Sequence, residues 1–374
     1  MGSPRREPPA DTGEGAQVAV TATAAPRAIS ATPARLRIPW VAAGFGAVVI
    51  ALVVGVAIGP VSIAPDAVIR ELLSHLPGLG VRSTLSARDA AIITDLRLPR
   101  VVLALLVGAM LSMAGASYQG VFRNPLADPY LLGAGAGAGL AVTLVVVTTT
   151  ASVGGDDQIV PIAAFIGAMG AVSLAYLVGR SAGGIAVVTL VLAGVAITSF
   201  LTAVQAYLLQ KKSDTLREVY TWILGRLTVA RWTEVLLVLP YFVISAAVLL
   251  SHRRALDVLA VGEEEASTLG LPVRRTRITI VAAASLATAA AVAVSGLIGF
   301  VGIIVPHTIR MITGASYRVV LPLSLLFGGA FLVLADLAGR MLIEPAELPI
   351  GVVTAFLGAP FFVVILLRST RGGR

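Results

Sequence analysis

No cysteine occurs among the 374 residues, which excludes disulfides, thiolate metal sites and cysteine nucleophiles together. Histidine is nearly as scarce, and His75, His252 and His307 lie too far apart in the chain to suggest a metal cluster. Lysine occurs only at Lys211 and Lys212, preceded by Gln210, so no G-x-x-x-x-G-K-[ST] phosphate loop can be written. Any use of ATP then falls to a partner chain. Charge is thin throughout, at 13% against about a quarter in soluble domains. The hydrophobic set instead makes up 57% of the chain, with mean hydropathy +0.92. This is the composition of an integral membrane protein. The net charge of +8 is carried almost wholly by arginine and is better explained by lipid topology than by a nucleic-acid partner.

Residues 1–39 are rich in Pro, Ala, Thr and Arg without apolar periodicity, and read as a disordered cytoplasmic tail. The run from Trp40 to Pro60 is too long and too deep in the chain for a cleaved leader, so it reads as a retained anchor helix. Apolar stretches then fall at about 40–60, 97–117, 129–150, 159–179, 186–210, 233–251, 277–296, 298–313, 320–340 and 349–367. They predict an all-α fold of about ten transmembrane helices, with a transmembrane domain over 40–367 and a short tail over 368–374. The run from 277 to 313 is nearly continuous and is divided at Ser295-Gly296 on length and the glycine. With the N-terminus in the cytoplasm, 17 of the 28 basic residues lie inside, so both termini are expected to be cytoplasmic. Gly115, Pro125 and Gly133 share their spacing with Gly296, Pro306 and Gly314, a faint sign of an inverted repeat.

The span centres carry almost no charge, whereas ion-coupled carriers keep an ionisable group near the midplane. Asp336 and Arg340, four apart at the outer end of the ninth span, read as a helical ion pair. Small residues recur inside the spans, as in Gly133 to Gly139, and suit close helix packing or the wall of a wide path. The inner segment from His252 to Arg277 is unlike the other loops. It carries Glu263-Glu264-Glu265 and then Ala266, Leu269, Gly270 and Leu271, which predicts a short amphipathic helix ending at Gly270. No catalytic constellation emerges, and neither a catalytic residue nor a metal ligand is assigned.

Several motifs, taken together and in order, resemble one family. They are Arg97-Leu98-Pro99-Arg100; the stretch from Gln119 through Asn124-Pro125-Leu126-Ala127-Asp128-Pro129; Trp222-Ile223-Leu224-Gly225; Gly262 to Ala266 with Leu269-Gly270; Gly296 to Gly302 with Pro306-His307 and Arg310; Asp336 to Arg340; and Glu347-Leu348-Pro349-Ile350-Gly351. The chain is similar to the permease subunit of the ABC importers that take up iron–siderophore complexes, haem or cobalamin. That resemblance implies a type II importer permease in the bacterial cytoplasmic (inner) membrane, working as a homodimer or with a related permease. It implies two cytoplasmic ATPases, an extracytoplasmic solute-binding protein, and no cofactor in this chain, with ATP and Mg in the ATPase. The substrate it points to first is an iron–siderophore complex, with haem or cobalamin as alternatives. A secondary carrier driven by an ion gradient is the competing class.

Residue by residue, the resemblance implies that Arg97, Arg100 and Arg340 face outward to receive glutamates of the binding protein. It implies that Gly262, Glu263, Glu264, Ala266, Leu269 and Gly270, within a cytoplasmic segment of about 257–272, dock into the ATPase, with Ala266 and Leu269 on the buried side. It also implies that Asn124, Pro125 and Leu126 form a cytoplasmic gate. Three features depart from the family: the 39-residue tail, a loop at 183–189 without the Ser/Thr-rich run of a cobalamin importer, and the triple acid at 263–265.

Overall fold

The computed structural model describes Gly2 and residues 36–59, 63–75, 82–149, 158–181, 187–228, 230–343 and 346–371. The expectations for most of the N-terminal tail, for the loop at 183–186 and for the last three residues lie outside this set.

The described residues form helices α1 (Ile38–Ala57), α2 (Pro65–Ser74), α3 (Ala87–Ala91), α4 (Leu98–Val121), α5 (Ala134–Thr148), α6 (Ile159–Ser181), α7 (Val187–Lys211), α8 (Leu216–Ile223), α9 (Trp232–Ser251), α10 (Arg253–Val261), α11 (Glu263–Thr268), α12 (Val273–Ser295), α13 (Val301–Thr313), α14 (Tyr317–Met341) and α15 (Ile350–Arg371). A π-helical turn over Ile92–Arg97 joins α3 to α4 without a break. Seven helices are long and apolar enough to cross a bilayer, and shorter apolar helices lie at Ala134–Thr148, Val301–Thr313 and Ile350–Ile365. These ten match the ten apolar runs of the sequence. The chain is a multi-pass membrane protein.

Local chemistry sets the ends of the helices. Pro65 and Pro99 sit in the first turns of α2 and α4, where the missing N–H costs nothing. The long run from 273 to 313 breaks where the sequence suggested: α12 stops at Ser295 and Gly296 turns the chain with φ +69°, a conformation that a Cβ would strain.

Of the seven long helices α4 is the most enclosed and α7 the least. α4 packs against α14, α12, α13 and α9, and glycine explains how closely. A Cβ on Gly108 would overlap the carbonyl oxygen of Gly328 in α14, and one on Gly115 would overlap that of Gly302 in α13. Gly137 of α5 and Gly167 of α6 exclude a Cβ from each other in the same way. The small residues therefore serve backbone-to-backbone packing, which in lipid replaces the hydrophobic drive that holds soluble helices together. The suspected inverted repeat is not matched element by element. Gly115 lies inside α4 whereas Gly296 caps α12, and Pro125 lies in a turn whereas Pro306 lies inside α13.

Candidate functional site

One group of polar side chains gathers where the ends of α1, α4 and α14 meet. Helix α1 ends with orphan carbonyls, as every helix does, and two arginines from distant segments satisfy them. Arg97 Nη1 donates to Val56 O at 3.0 Å and Ala57 O at 3.1 Å, while Arg340 Nη2 donates to Gly55 O at 3.1 Å. Two cations thus stand at the negative end of the α1 dipole. Asp336 lies between the arginines. Its carboxylate pairs with Arg340 Nε at 3.2 Å, as the four-residue spacing predicted, and also accepts from Arg100 Nε and Nη2 at 2.9–3.2 Å. The remaining edge of Arg100 meets Glu347, with Nη1 donating to Oε1 at 3.1 Å and Nη2 to Oε2 at 2.9 Å.

The cluster brings Arg97, Arg100 and Arg340 together but does not turn all three outward. Arg97 and Arg340 are buried, because unpaired carbonyls in an apolar interior are costly and these guanidiniums supply the donors. Only Arg100 keeps a partly exposed edge, with a side-chain exposure of 14%. Glu347 stood in one of the family-like motifs, but its pairing with Arg100 was not anticipated from sequence.

The turn after α4 is a compact hydrogen-bonded stop. Arg123 N donates to Gly120 O and Asn124 N to Gln119 O, the paired bonds of a Schellman motif, with Arg123 at φ +50° where glycine is usual. Asn124 Oδ1 accepts from Leu126 N at 2.9 Å, closing an Asx turn around Pro125. Asn124, Pro125 and Leu126 are all exposed. The turn is held from beneath by Gln119, whose Nε2 donates to Gly302 O at 3.0 Å and whose Oε1 accepts from Arg310. Asp128 follows, accepting from Tyr130 N at 2.8 Å, and burial pushes its carboxyl up to about 6.

The segment at 257–272 holds the end of α10 and all of α11. Leu271 N donates to Ala266 O and Gly270 N to Ser267 O, so α11 ends in a second Schellman motif with Gly270 at φ +81°. The predicted stop at Gly270 is observed. One expectation for this segment does not hold in the chain as folded. Ala266 is fully buried, because it is on the face of α11 turned to the chain's own core, and it cannot contact another protein. Glu263 is half-exposed and paired with Arg277 of α12. Glu264 is exposed, and Leu269 is 70% exposed, so these two face outward. Asp257 of α10 accepts from the Ser316 hydroxyl at 2.9 Å and from Tyr317 N at 2.5 Å, and so caps the start of α14. Nothing in the sequence signals this link across 59 residues.

A cavity of about 690 Å³ lies among α5, α7 and α8 and the residues around them. Its polar groups are Tyr130, Thr198, Thr202, Gln205, Gln210 and Tyr220, and no charged side chain lines it. Gln205 is fixed by donating to Thr143 Oγ1 at 3.0 Å, and Tyr130 by its bonds with Ile298. Among the described residues no three of His, Cys, Asp and Glu come together as metal ligands.

Comparison with known proteins adds a second line of observation. Residues 47–368 match the FecCD transport family. The chain is 42% identical over 338 residues to YvrB, an ABC transporter permease protein of Bacillus subtilis, covering 88% of this chain and 94% of that one. It is 37% identical over 284 residues to the Fe(3+) dicitrate transport system permease protein FecD of Escherichia coli, covering 74% of this chain and 85% of that one, and 38% identical over 278 residues to the hemin transport system permease protein HmuU of Yersinia pestis, covering 74% and 83%. A solved structure, a metal-chelate type ABC transporter in an inward-facing conformation, superimposes with a TM-score of 0.74 at 29% identity over 87% of this chain and 98% of that one.

Proposed function

The chain belongs to the FecCD transport family and has the fold of an ABC transporter permease, and from that premise we propose that it imports an intact iron–siderophore chelate. The observation that carries this reading is the cavity beside α7. It offers hydroxyl and amide groups without a fixed charge, a lining suited to the outer surface of a metal chelate rather than to a bare cation, which needs several oxygen or nitrogen ligands. Relatives that carry Fe(3+) dicitrate and hemin support the substrate class. Haem or cobalamin in the same role is the second reading, since a relative from Halobacterium salinarum is a cobalamin import system permease.

The chain makes and breaks no covalent bond in this scheme. A second permease copy completes the path, two cytoplasmic ATPases supply energy from ATP with Mg, and an extracytoplasmic binding protein delivers the chelate. Both termini lie in the cytoplasm. Arg100 is the docking residue for the binding protein, with Arg97 and Arg340 holding the platform beneath it. Glu264 and Leu269 form the outward face of the ATPase contact, while Gly262, Glu263, Ala266 and Gly270 shape the helix that presents them. Asn124, Pro125 and Leu126 close the path at the cytoplasmic end, and ATP-driven movement of the inner helices opens it.

The reading is tested by purifying the permease with its ATPase and binding protein and identifying the bound ligand by mass spectrometry, alongside uptake of that ligand into liposomes. A ferric chelate taken up only with ATP supports it. Uptake that persists without the ATPase, or a bound ligand without metal, overturns it. The gate has its own test, because the chain contains no native cysteine. Leu126→Cys should cross-link two protomers on oxidation, with a yield that changes with ATP, since a disulfide needs Cα atoms within about 7 Å. Absence of a cross-link in apo, ATP-bound and binding-protein-bound states of a proven homodimer removes these residues from the gate.

A further inference from the structure

Most of the donors in the arginine cluster are committed to holding the chain together. Arg97 and Arg340 serve the α1 carbonyls, and one edge of Arg100 is taken by Asp336, which is 3% exposed. The other edge of Arg100 is spent on Glu347, which is 31% exposed. The two carboxylates on Arg100 therefore differ in kind: Asp336 is sealed in, and Glu347 stands on the solvent side. The Glu347 bonds form a parallel two-bond fork, the geometry in which a guanidinium takes one carboxylate at a time. Glu347 also lies three residues before α15, in a segment pinned by Leu348 N to Gly339 O at 3.0 Å and by Gly351 N to Leu224 O at 3.0 Å.

We propose that Glu347 is an internal substitute for a carboxylate of the binding protein, occupying the docking edge of Arg100 until the partner's carboxylate displaces it. This rests on the reading of Arg100 as a docking residue. Docking is then an exchange of one carboxylate for another, and the permease sets its own affinity through Glu347. The displaced Glu347 leaves the entrance of α15, so occupancy of the outer face is registered at a helix that also borders α13 and α14.

The test measures binding of the purified binding protein to the permease–ATPase complex in nanodiscs. Glu347→Gln removes the competing charge and should tighten docking by up to about five-fold, the worth of an exposed ion pair. Glu347→Asp shortens the side chain by one carbon, breaks the fork and should tighten docking less. Arg100→Lys keeps a charge for Asp336 but offers no second edge, and should weaken docking at least ten-fold. If Glu347→Gln or Glu347→Asp weakens docking or leaves it unchanged while Arg100→Lys weakens it, Glu347 merely positions Arg100 and the exchange is wrong. If Arg100→Lys binds as the parent does, the docking reading itself fails. A thermal midpoint for each variant within a few degrees of the parent shows that the changes are not losses of fold, and Glu347→Asp alone decides if Glu347→Gln does not fold.

Discussion

Asp336→Ala removes the anion shared by two guanidiniums, and its cost follows from what each is left with. Arg100 keeps Glu347 and a partly exposed edge. Arg340 is buried and retains only the Gly55 carbonyl, so its charge has lost its counterion. Breaking a buried pair from one side costs about 3–5 kcal/mol. Because one of the two arginines keeps a partner, we predict the lower end, about 3 kcal/mol. For a chain of this size that lowers the thermal midpoint by on the order of 5 °C. The measurement is the thermal midpoint of the permease in nanodiscs, with and without Arg340→Met in the same chain. The double variant removes the orphan charge and should recover part of the loss, a coupling of about 1–3 kcal/mol. A midpoint for Asp336→Ala within 1 °C of the parent would refute the view that this carboxylate neutralises both arginines, as would a double variant that loses the sum of the two single effects.

Gly137→Ala places a methyl against the Gly167 carbonyl and should force α5 from α6, giving little folded protein by size-exclusion chromatography; a parent-like profile contradicts that packing. Asp128 has its carboxyl raised from an ordinary 3.8 to about 6, so its contribution favours the fold below pH 4 and is lost as pH rises to 6, leaving a cost of about 3 kcal/mol at pH 7. Asp128→Asn keeps an acceptor for Tyr130 N and should raise stability at pH 7 while flattening the profile between pH 4 and 6; an unchanged profile would place the titration elsewhere. Leu269→Asp puts a charge on the exposed end of α11 and should release the ATPase or abolish its stimulation by binding protein, measured by co-purification and phosphate release. If both survive, the ATPase contact lies elsewhere.

The sequence carried those features whose cause is local. Ten apolar runs became ten helices, seven of them long enough to span because span length is fixed by the thickness of the bilayer. The stop at Gly270 and the break at Gly296 could be read because glycine accepts positive φ, and Asp336 with Arg340 because four residues make one helical turn. What was hidden depends on pairing across the chain. Arg100 meets Asp336 and Glu347 from 236 and 247 positions away, and no spacing rule reaches that far. Ala266 was expected to be covered by the ATPase rather than by the chain's own core for the same reason, since a six-residue helix does not reveal which face its neighbours cover. The resemblance implied that Arg97 and Arg340 face outward, but the unpaired end of α1 supplied a stronger claim on their donors.

The glycine contacts of α4 also limit which parts of the protein can move. A side chain in an interface can change rotamer and absorb a small displacement, but a carbonyl set against a bare Cα has no such slack. At Gly108–Gly328 and Gly115–Gly302, α4 therefore has no adjustable spacer towards α14 or α13, and any tilt between them opens a gap that no neighbouring atom can fill. These three helices behave as one chassis. Displacement between helices is therefore expected where the packing leaves more slack than it does along α4, rather than within this group.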